Sequence, residues 1–398
     1  MIDNDSNCFI IKMPYLQTMY VSELEGSPSL EVVNIVLERL ARGDKLISLA
    51  IGEPMYDTPK EIIDVANREM LNGNTHYTSS YGIADFRNAV VNKTSKKNSI
   101  NAEIKNTIFM TSKQAIYAAM LAIAGKKREI LMPDPGYFYG DPAKLAGFEP
   151  VVYNLSEDNS LDVSKIEEKI TPDTSAVFLN TPSNPTGRVL ERKSLEELIE
   201  LAKEHNFKII SDEAYEDLVY EKKHVSIGSL EDAPEHVISI FTLSKSYSMT
   251  GWRSGYTVAG EDIIKNMARV IEHTYTCAPP FIQKASAYAL ENGDGFIKKF
   301  RDEFREKRDF VYKRLNEIEG VECGPMEGAF YAFPTYDKNV EAGDLAKGLL
   351  NKYDVALLPG TAFGDQGEHR VRISFSGTKE TLETGIDRFE DYLLKDVS

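Results

Sequence analysis

From residue 107 onward the chain alternates between short, continuously apolar runs and longer stretches of helical period. Residues 107–110, 129–132, 176–180, 208–211 and 237–242 lack the polar alternation of a half-exposed strand, so they are predicted to be strands buried on both faces. Between most of them, 114–124, 161–170 and 194–205 carry apolar residues three and four apart, the spacing of crossover helices. Strand, helix, strand in series predicts an α/β fold with a largely parallel, doubly wound sheet, whose ligands bind at the strand carboxyl ends. Upstream, Ser27 and Pro28 are placed to open a helix as N-cap and first-turn proline. Leu30, Val33, Leu37 and Leu40 mark its buried stripe, and Gly43 closes it. After about Leu290 a long charged helix over 295–315 gives way to short strands near 328–333 and 371–375, which predicts a second, smaller α+β domain.

Charge narrows the partners. The 398 residues carry 46 Lys and Arg against 62 Asp and Glu, a net charge of −16. Such a surface repels phosphodiester backbones and anionic lipid, so no nucleic-acid or membrane partner is expected and small metabolites remain. The opening MIDNDSNCFI has two Asp where a signal peptide needs positive charge, and the most apolar stretch, 115–125, is too short to cross a bilayer; a cytoplasmic protein is expected. Cys8, Cys277 and Cys323 are too few and too scattered for a disulfide framework or a zinc site, and no metal is implied.

GxGxxG, GxxxxGK[ST], HExxH and GxSxG are all absent from the sequence, which removes support for dinucleotide, P-loop, zincin and nucleophile-elbow chemistry. Instead the apolar run ending at Thr242 is followed by a loop dense in hydroxyls, 241–253, FTLSKSYSMTGWR. Thr242, Ser244 and Arg253 supply the donors that a phosphate dianion takes, each charge-assisted bond being worth roughly 1.5–3 kcal/mol. Lys245 falls inside that cradle. A lysine on its own is ordinarily solvated, so the surrounding segment carries the inference.

That segment resembles the lysine segment of the class I/II aminotransferases, the pyridoxal-phosphate enzymes of fold type I. The resemblance extends along nearly the whole chain: GEPMYDTP at 52–59, YTSSYGIADFR at 77–87, NPTG at 184–187, DEAYEDL at 212–218, EGAFYAFP at 327–334, PGTAFG at 359–364 and RVRISFS at 370–376. It implies a large cofactor-binding domain at 54–289, a smaller domain at 290–398, and an N-terminal arm at 1–53 that contributes to the smaller one. It also implies the cofactor, pyridoxal 5′-phosphate, and a ping-pong exchange of an amino group between an amino acid and a 2-oxo acid.

By the same resemblance Lys245 forms the Schiff base and then shuttles the substrate proton. Asp212 pairs with the pyridine nitrogen, and Tyr215 and Asn184 donate to the ring oxygen. Ser112, Lys113, Thr242, Ser244 and Arg253 surround the phosphate, with backbone N–H groups at the start of the 114–124 helix. Thr111 stands where the family has a small glycine-containing pair, so the backbone there is expected to differ. Tyr137, in PDPGYFYG, stacks on the ring. Arg372 clamps the substrate α-carboxylate on a strand whose alternation sets Arg370, Arg372 and Ser374 on one face, and Gly52 lets that carboxylate approach the backbone.

Tyr77 is implied to reach the phosphate of a neighbouring subunit, which makes a homodimer with shared sites. Lys113 also resembles the lysine with which one aspartate aminotransferase branch binds a distal carboxylate, so aspartate or glutamate is the expected donor. Glu31, near the place of a small hydroxyl residue in that branch, opposes this and keeps neutral substrates, aromatic amino acids or alanine, in view. Two rival activities remain, a lyase using the same lysine and an effector-sensing domain without catalysis; the second lacks its usual basic DNA-binding arm before Gly52.

Overall fold

The computed structural model describes Leu24 and residues 28–137 and 139–397. Cys8, the Ser27 cap and the side chains of Leu30 and Leu40 lie outside the described residues. In chain order the strands are β1 (Ile47–Ser48), β2 (Thr107–Phe109), β3 (Glu129–Asp134), β4 (Glu149–Asn154), β5 (Thr174–Asn180), β6 (Lys208–Asp212), β7 (Val237–Thr242), β8 (Gly255–Val258), β9 (Val321–Glu322), β10 (Tyr331–Ala332), β11 (Thr335–Tyr336), β12 (Val355–Ala356), β13 (Leu358–Pro359) and β14 (Val371–Ser374).

Seven of them make one sheet in the order β2-β8-β7-β6-β5-β3-β4. Every pairing is parallel except the two made by β8. All residues of β5 and β7 are buried, as continuous apolar runs require. Alternation divides β6 between two cores: Ile210 packs with Ile116, Met120 and Ile240, whereas Ile209 packs with Val177, Leu195 and Ile199 on the opposite face. Both faces are therefore covered, and the carboxyl ends of β5, β6 and β7 open on one rim.

Within this seven-stranded sheet, the two strands that pattern reading missed differ from the rest. β4 is an edge strand of mixed polarity with a single buried residue, Tyr153, and β8 is a four-residue strand hidden behind the lysine loop. The predicted helix at 161–170 shrinks to Val163–Glu167, with Asp162 accepting the Ser164 backbone N–H as its cap.

Beyond the sheet, β14 lies between β10 and β13, and β1, from the start of the chain, pairs in parallel with β12. The helices Asp294–Glu317 and Lys379–Lys395 cover these strands, burying Phe304, Leu315, Ile373, Leu382 and Phe389. The same cluster takes in Ala214, Tyr215 and Leu218 from just past β6, which fixes the small sheet against the rim of the large one.

Helix α1 (Pro28–Ala41) forms where the proline and Gly43 predict it, and Gly43 takes the left-handed φ of +86°. Its buried stripe is out of phase with the expectation. Val36 is fully buried with Val32 beside it, while Leu37 is 53% exposed. Val33 and Leu37 belong to the adjacent face, which a count of three- and four-residue spacings does not distinguish when Val32, Val33, Ile35, Val36 and Leu37 are all apolar. Among the described residues no helix is long and apolar enough to cross a membrane.

Candidate active site

A cavity of about 290 Å³ opens at the rim where β5, β6 and β7 end. Twelve of the thirteen residues singled out from sequence line it: Gly52, Ser112, Lys113, Tyr137, Asn184, Asp212, Tyr215, Thr242, Ser244, Lys245, Arg253 and Arg372. Tyr77 does not; its ring is 87% exposed. Glu31 is exposed on α1 and also does not line the cavity, whereas Val33 does. The charge expected to oppose a second carboxylate is thus displaced by an apolar side chain.

One end of the cavity is a bed of donors. Thr242 Oγ1, at the end of β7, lies 2.9 Å from Ser244 Oγ and accepts the Ser244 backbone N–H at 3.2 Å. Ser112 and Lys113 open helix α4 (Ser112–Ile123; α2 is Lys60–Leu71, α3 Ala84–Lys93), whose first N–H groups carry no intrahelical partner. Arg253 has a left-handed φ of +56°; it donates to the Thr250 carbonyl at 2.7 Å and to Thr111 Oγ1 at 2.9 Å. Thr111 itself has φ −65° and ψ 141°, ordinary extended backbone, so the departure from a glycine pair leaves the turn unstrained and its hydroxyl serves Arg253.

The opposite end is acidic and buried. Asp212 terminates β6 with 6% exposure, accepting the Ala214 N–H at 3.1 Å and the Tyr139 hydroxyl at 2.9 Å. Burial pushes its carboxyl up to about 6, against these two hydrogen bonds, which pull it down. Asn180, at the end of β5, donates to the Asp212 carbonyl at 3.1 Å and accepts the Asn184 N–H at 2.7 Å, tying the NPTG turn to the strand ends.

Between the two ends Lys245 donates to the Gly52 carbonyl at 2.7 Å. Its amine is lowered to about 8, chiefly by burial; Glu53 opposes the shift, Arg372 and Arg253 add to it, and Asp212 opposes it. Arg372 is buried in the middle of β14. It donates to Asn184 Oδ1 at 3.1 Å and to the Ala50 carbonyl, and its guanidinium stands 4.5 Å from the Tyr331 ring and 5.2 Å from that of Phe363. Its Nε is buried with no hydrogen-bond partner among the described residues, an unmet donor on the cavity wall. Arg370 precedes β14 and turns elsewhere, to Asn159 and over Phe333.

Tyr331 and Tyr139 were not singled out from sequence. Tyr331 shares a 2.7 Å hydrogen bond with Tyr215, and a Cβ at Gly52 would collide with its hydroxyl. Both tyrosines fall inside motifs that carried the family resemblance, EGAFYAFP and PDPGYFYG. Their chemistry depends on which of two neighbouring aromatics turns inward, which sequence does not specify.

Dianion donors at one end, a buried carboxylate at the other and an amine of lowered basicity between them fit a phosphorylated pyridine aldehyde. The family model described as "Aminotransferase class I and II" matches residues 44–389. The chain is 39% identical to an aromatic-amino-acid aminotransferase 2 of Thermococcus litoralis, over 89% of this chain and 93% of that one. An aspartate aminotransferase of Pyrococcus abyssi is 38% identical with the same coverage. Among solved structures, the aspartate aminotransferase from Thermus thermophilus with maleate superposes with a TM-score of 0.88 at 32% identity, covering 93% of this chain and 98% of that one. A family match over most of the length, relatives well above 30% identity and a shared architecture agree: the chain belongs to the class I and II aminotransferases, pyridoxal 5′-phosphate enzymes of fold type I acting on amino acids and 2-oxo acids.

Proposed function

We propose that the protein is an aspartate aminotransferase, exchanging the amino group of aspartate or glutamate with a 2-oxo acid. The observation that carries this is a pair of cations on one cavity: Arg372, available to every α-carboxylate, and Lys113, available to a second, distal one. Relatives named for aspartate, and a solved relative with the dicarboxylate maleate, support the same reading. A second reading, turnover of aromatic substrates, is favoured by the apolar Val33, Ile116 and Leu358 on the cavity wall and by the aromatic-amino-acid relative.

When bound, the cofactor supplies the electron sink into which the substrate Cα–H bond delivers its electrons. The chain's residues do the rest. Arg372 orients the α-carboxylate, with Tyr331 and Phe363 holding its guanidinium plane. Lys245, mostly neutral above about pH 8, would be the amine that holds the cofactor and, with substrate in place, the base that moves the proton at Cα. Asp212 holds the proton on the ring nitrogen. Asn184 offers its Oδ1 to Arg372, which leaves Nδ2 as the donor for the ring oxygen beside the Tyr215 hydroxyl. Thr242, Ser244, Ser112 and Arg253 hold the phosphate, and Tyr137 supplies the ring face.

The working unit is a homodimer. Tyr77 is 87% exposed and Leu71 89%, two large apolar side chains outside the chain's own cavity that a second copy would cover, with Tyr77 then available to its partner's phosphate. The test is an absorbance titration of the cofactor-loaded protein with a panel of amino acids. Aspartate and glutamate convert the bound cofactor to its amine form; conversion by neutral amino acids alone overturns the choice of substrate.

A further inference from the structure

The Asp212 carboxylate, whose task is to hold a proton on the cofactor nitrogen, is itself held by a residue to which the proposed reading gives no role. We propose that Tyr139 is a positioning residue: its hydroxyl keeps Asp212 ionised and aimed, and so biases the proton shared with the ring nitrogen toward the ring. The inference rests on membership of the family and not on the choice of aspartate as substrate.

The geometry is specific. Asp212 Oδ2 accepts the Tyr139 hydroxyl at 2.9 Å and Oδ1 accepts the Ala214 N–H at 3.1 Å, so each oxygen is fixed by one donor and keeps one further lone pair for the cofactor. Tyr139 has little freedom to let go. It is 2% exposed, its ring lies 3.8 Å from that of Phe178 at 26°, and the Tyr137 ring meets it edge-on at 5.3 Å. Its backbone stands immediately before helix α5 (Gly140–Leu145), which anchors the other side.

Burial and the nearby Asp212 push the Tyr139 phenol far above its usual range, so it remains a donor at every working pH. The groups around Asp212 pull in both directions. Burial and Glu213 favour its protonated form, while Tyr139, the Ala214 N–H and Lys245 favour the carboxylate. Without the phenol, the balance moves toward a neutral acid facing a neutral pyridine, which stabilises a developing carbanion less well.

A residue that merely filled space would be replaced without loss by phenylalanine, which makes the test direct. The Tyr139→Phe and Tyr139→Ala proteins, loaded with cofactor labelled with ¹⁵N in the ring, are compared with the parent by the ring-nitrogen chemical shift across pH. The expected result for Tyr139→Phe is a shift toward neutral pyridine, a titration midpoint about one pH unit lower, and roughly tenfold weaker cofactor retention at an unchanged melting temperature. These changes appear whichever amino acid proves to be the substrate. A fluorinated tyrosine at 139, a stronger donor, moves the midpoint the other way and serves if the phenylalanine variant folds poorly. A ring-nitrogen titration unchanged in Tyr139→Phe, with effects confined to Tyr139→Ala, assigns the residue to packing and overturns the proposal.

Discussion

Lys245 Nζ donates to the Gly52 carbonyl at 2.7 Å, joining the loop after β7 to the segment that follows β1. The contact holds the amine at the centre of the cavity, in surroundings that disfavour its charge. Its ammonium form is destabilised by burial first and by the two nearby arginines, and only partly recovered by Glu53 and Asp212.

The consequence is a pH-dependent uptake of cofactor. A lysine whose folded-state value is lowered to about 8 is mostly neutral, and therefore nucleophilic, above that pH and protonated below it. The rate at which the cofactor-free protein captures the aldehyde should rise through about pH 8 and then level off. Stopped-flow absorbance measures it. A rise centred near 10, where an unperturbed lysine titrates, contradicts the assigned environment, and Lys245→Ala should show no covalent capture at any pH.

Lys113 and Arg372 should separate substrates by charge count. Every amino acid offers the α-carboxylate proposed for Arg372, so Arg372→Lys, which loses the bidentate fork, lowers kcat/KM for all of them. Only dicarboxylates offer a second anion. Lys113→Ala should therefore lower kcat/KM for aspartate by roughly 10- to 150-fold, one charge-assisted contact of about 1.5–3 kcal/mol, and leave a neutral aromatic amino acid nearly unchanged. Equal losses for both would move Lys113 to the phosphate or to the fold.

The sheet was legible because β5, β6 and β7 each carry a run of adjacent apolar residues with no polar alternation, and a strand buried on both faces announces itself in that way. The edge strand β4 and the antiparallel β8 were not, since neither carries a continuous run long enough to register. On α1, five apolar residues between Val32 and Leu37 leave the phase undetermined, and packing against Ala50 and Leu358 decides for Val36. In the cavity, residues fixed by motif position came together, whereas Tyr139 and Tyr331 became visible only once backbone geometry showed which aromatic faces Asp212 and which faces Gly52.

The exposure of Tyr77 and Leu71 predicts concentration dependence. Sedimentation velocity should find a dimer, and dilution or Tyr77→Ala should loosen cofactor retention while leaving the cavity of each chain intact. A fully active monomer under assay conditions excludes the shared site.

Stability should depend on a buried ion pair behind the site. Lys93, with 2% of its side chain exposed, pairs with Glu216 and donates to Asn98 at 2.9 Å, while Asn98 donates to Glu216 at 2.5 Å. Lys93→Met strands the Glu216 charge next to Tyr215, and breaking such a pair destabilises by about 3–5 kcal/mol. Replacing both partners by apolar residues should be milder than Lys93→Met alone. Denaturant melts compare the two, and a double variant worse than the single one contradicts the pairing.

The tightest constraint on the cavity lies between Gly52 and Tyr331. A Cβ at Gly52 would overlap the Tyr331 hydroxyl and sit 3.0 Å from its Cζ and 3.1 Å from Cε1, so Gly52→Ala must drive that ring aside. The ring is not free to move. Its hydroxyl is bonded to Tyr215 at 2.7 Å and its face supports the Arg372 guanidinium at 4.5 Å, so displacement disturbs a proposed cofactor contact and a proposed substrate contact together. Gly52→Ala should therefore lower kcat/KM at least tenfold.

Tyr331→Phe removes the colliding oxygen and keeps the ring, at the expense of one buried hydrogen bond, about 1–3 kcal/mol. Because the methyl and the hydroxyl compete for one space, the double variant should lose less than the sum of the two single losses, by more than about 0.5 kcal/mol. The double-mutant cycle in kcat/KM reads this coupling directly. Additive losses would mean that Gly52 is required for the approach of the substrate carboxylate itself, with Tyr331 no part of that requirement.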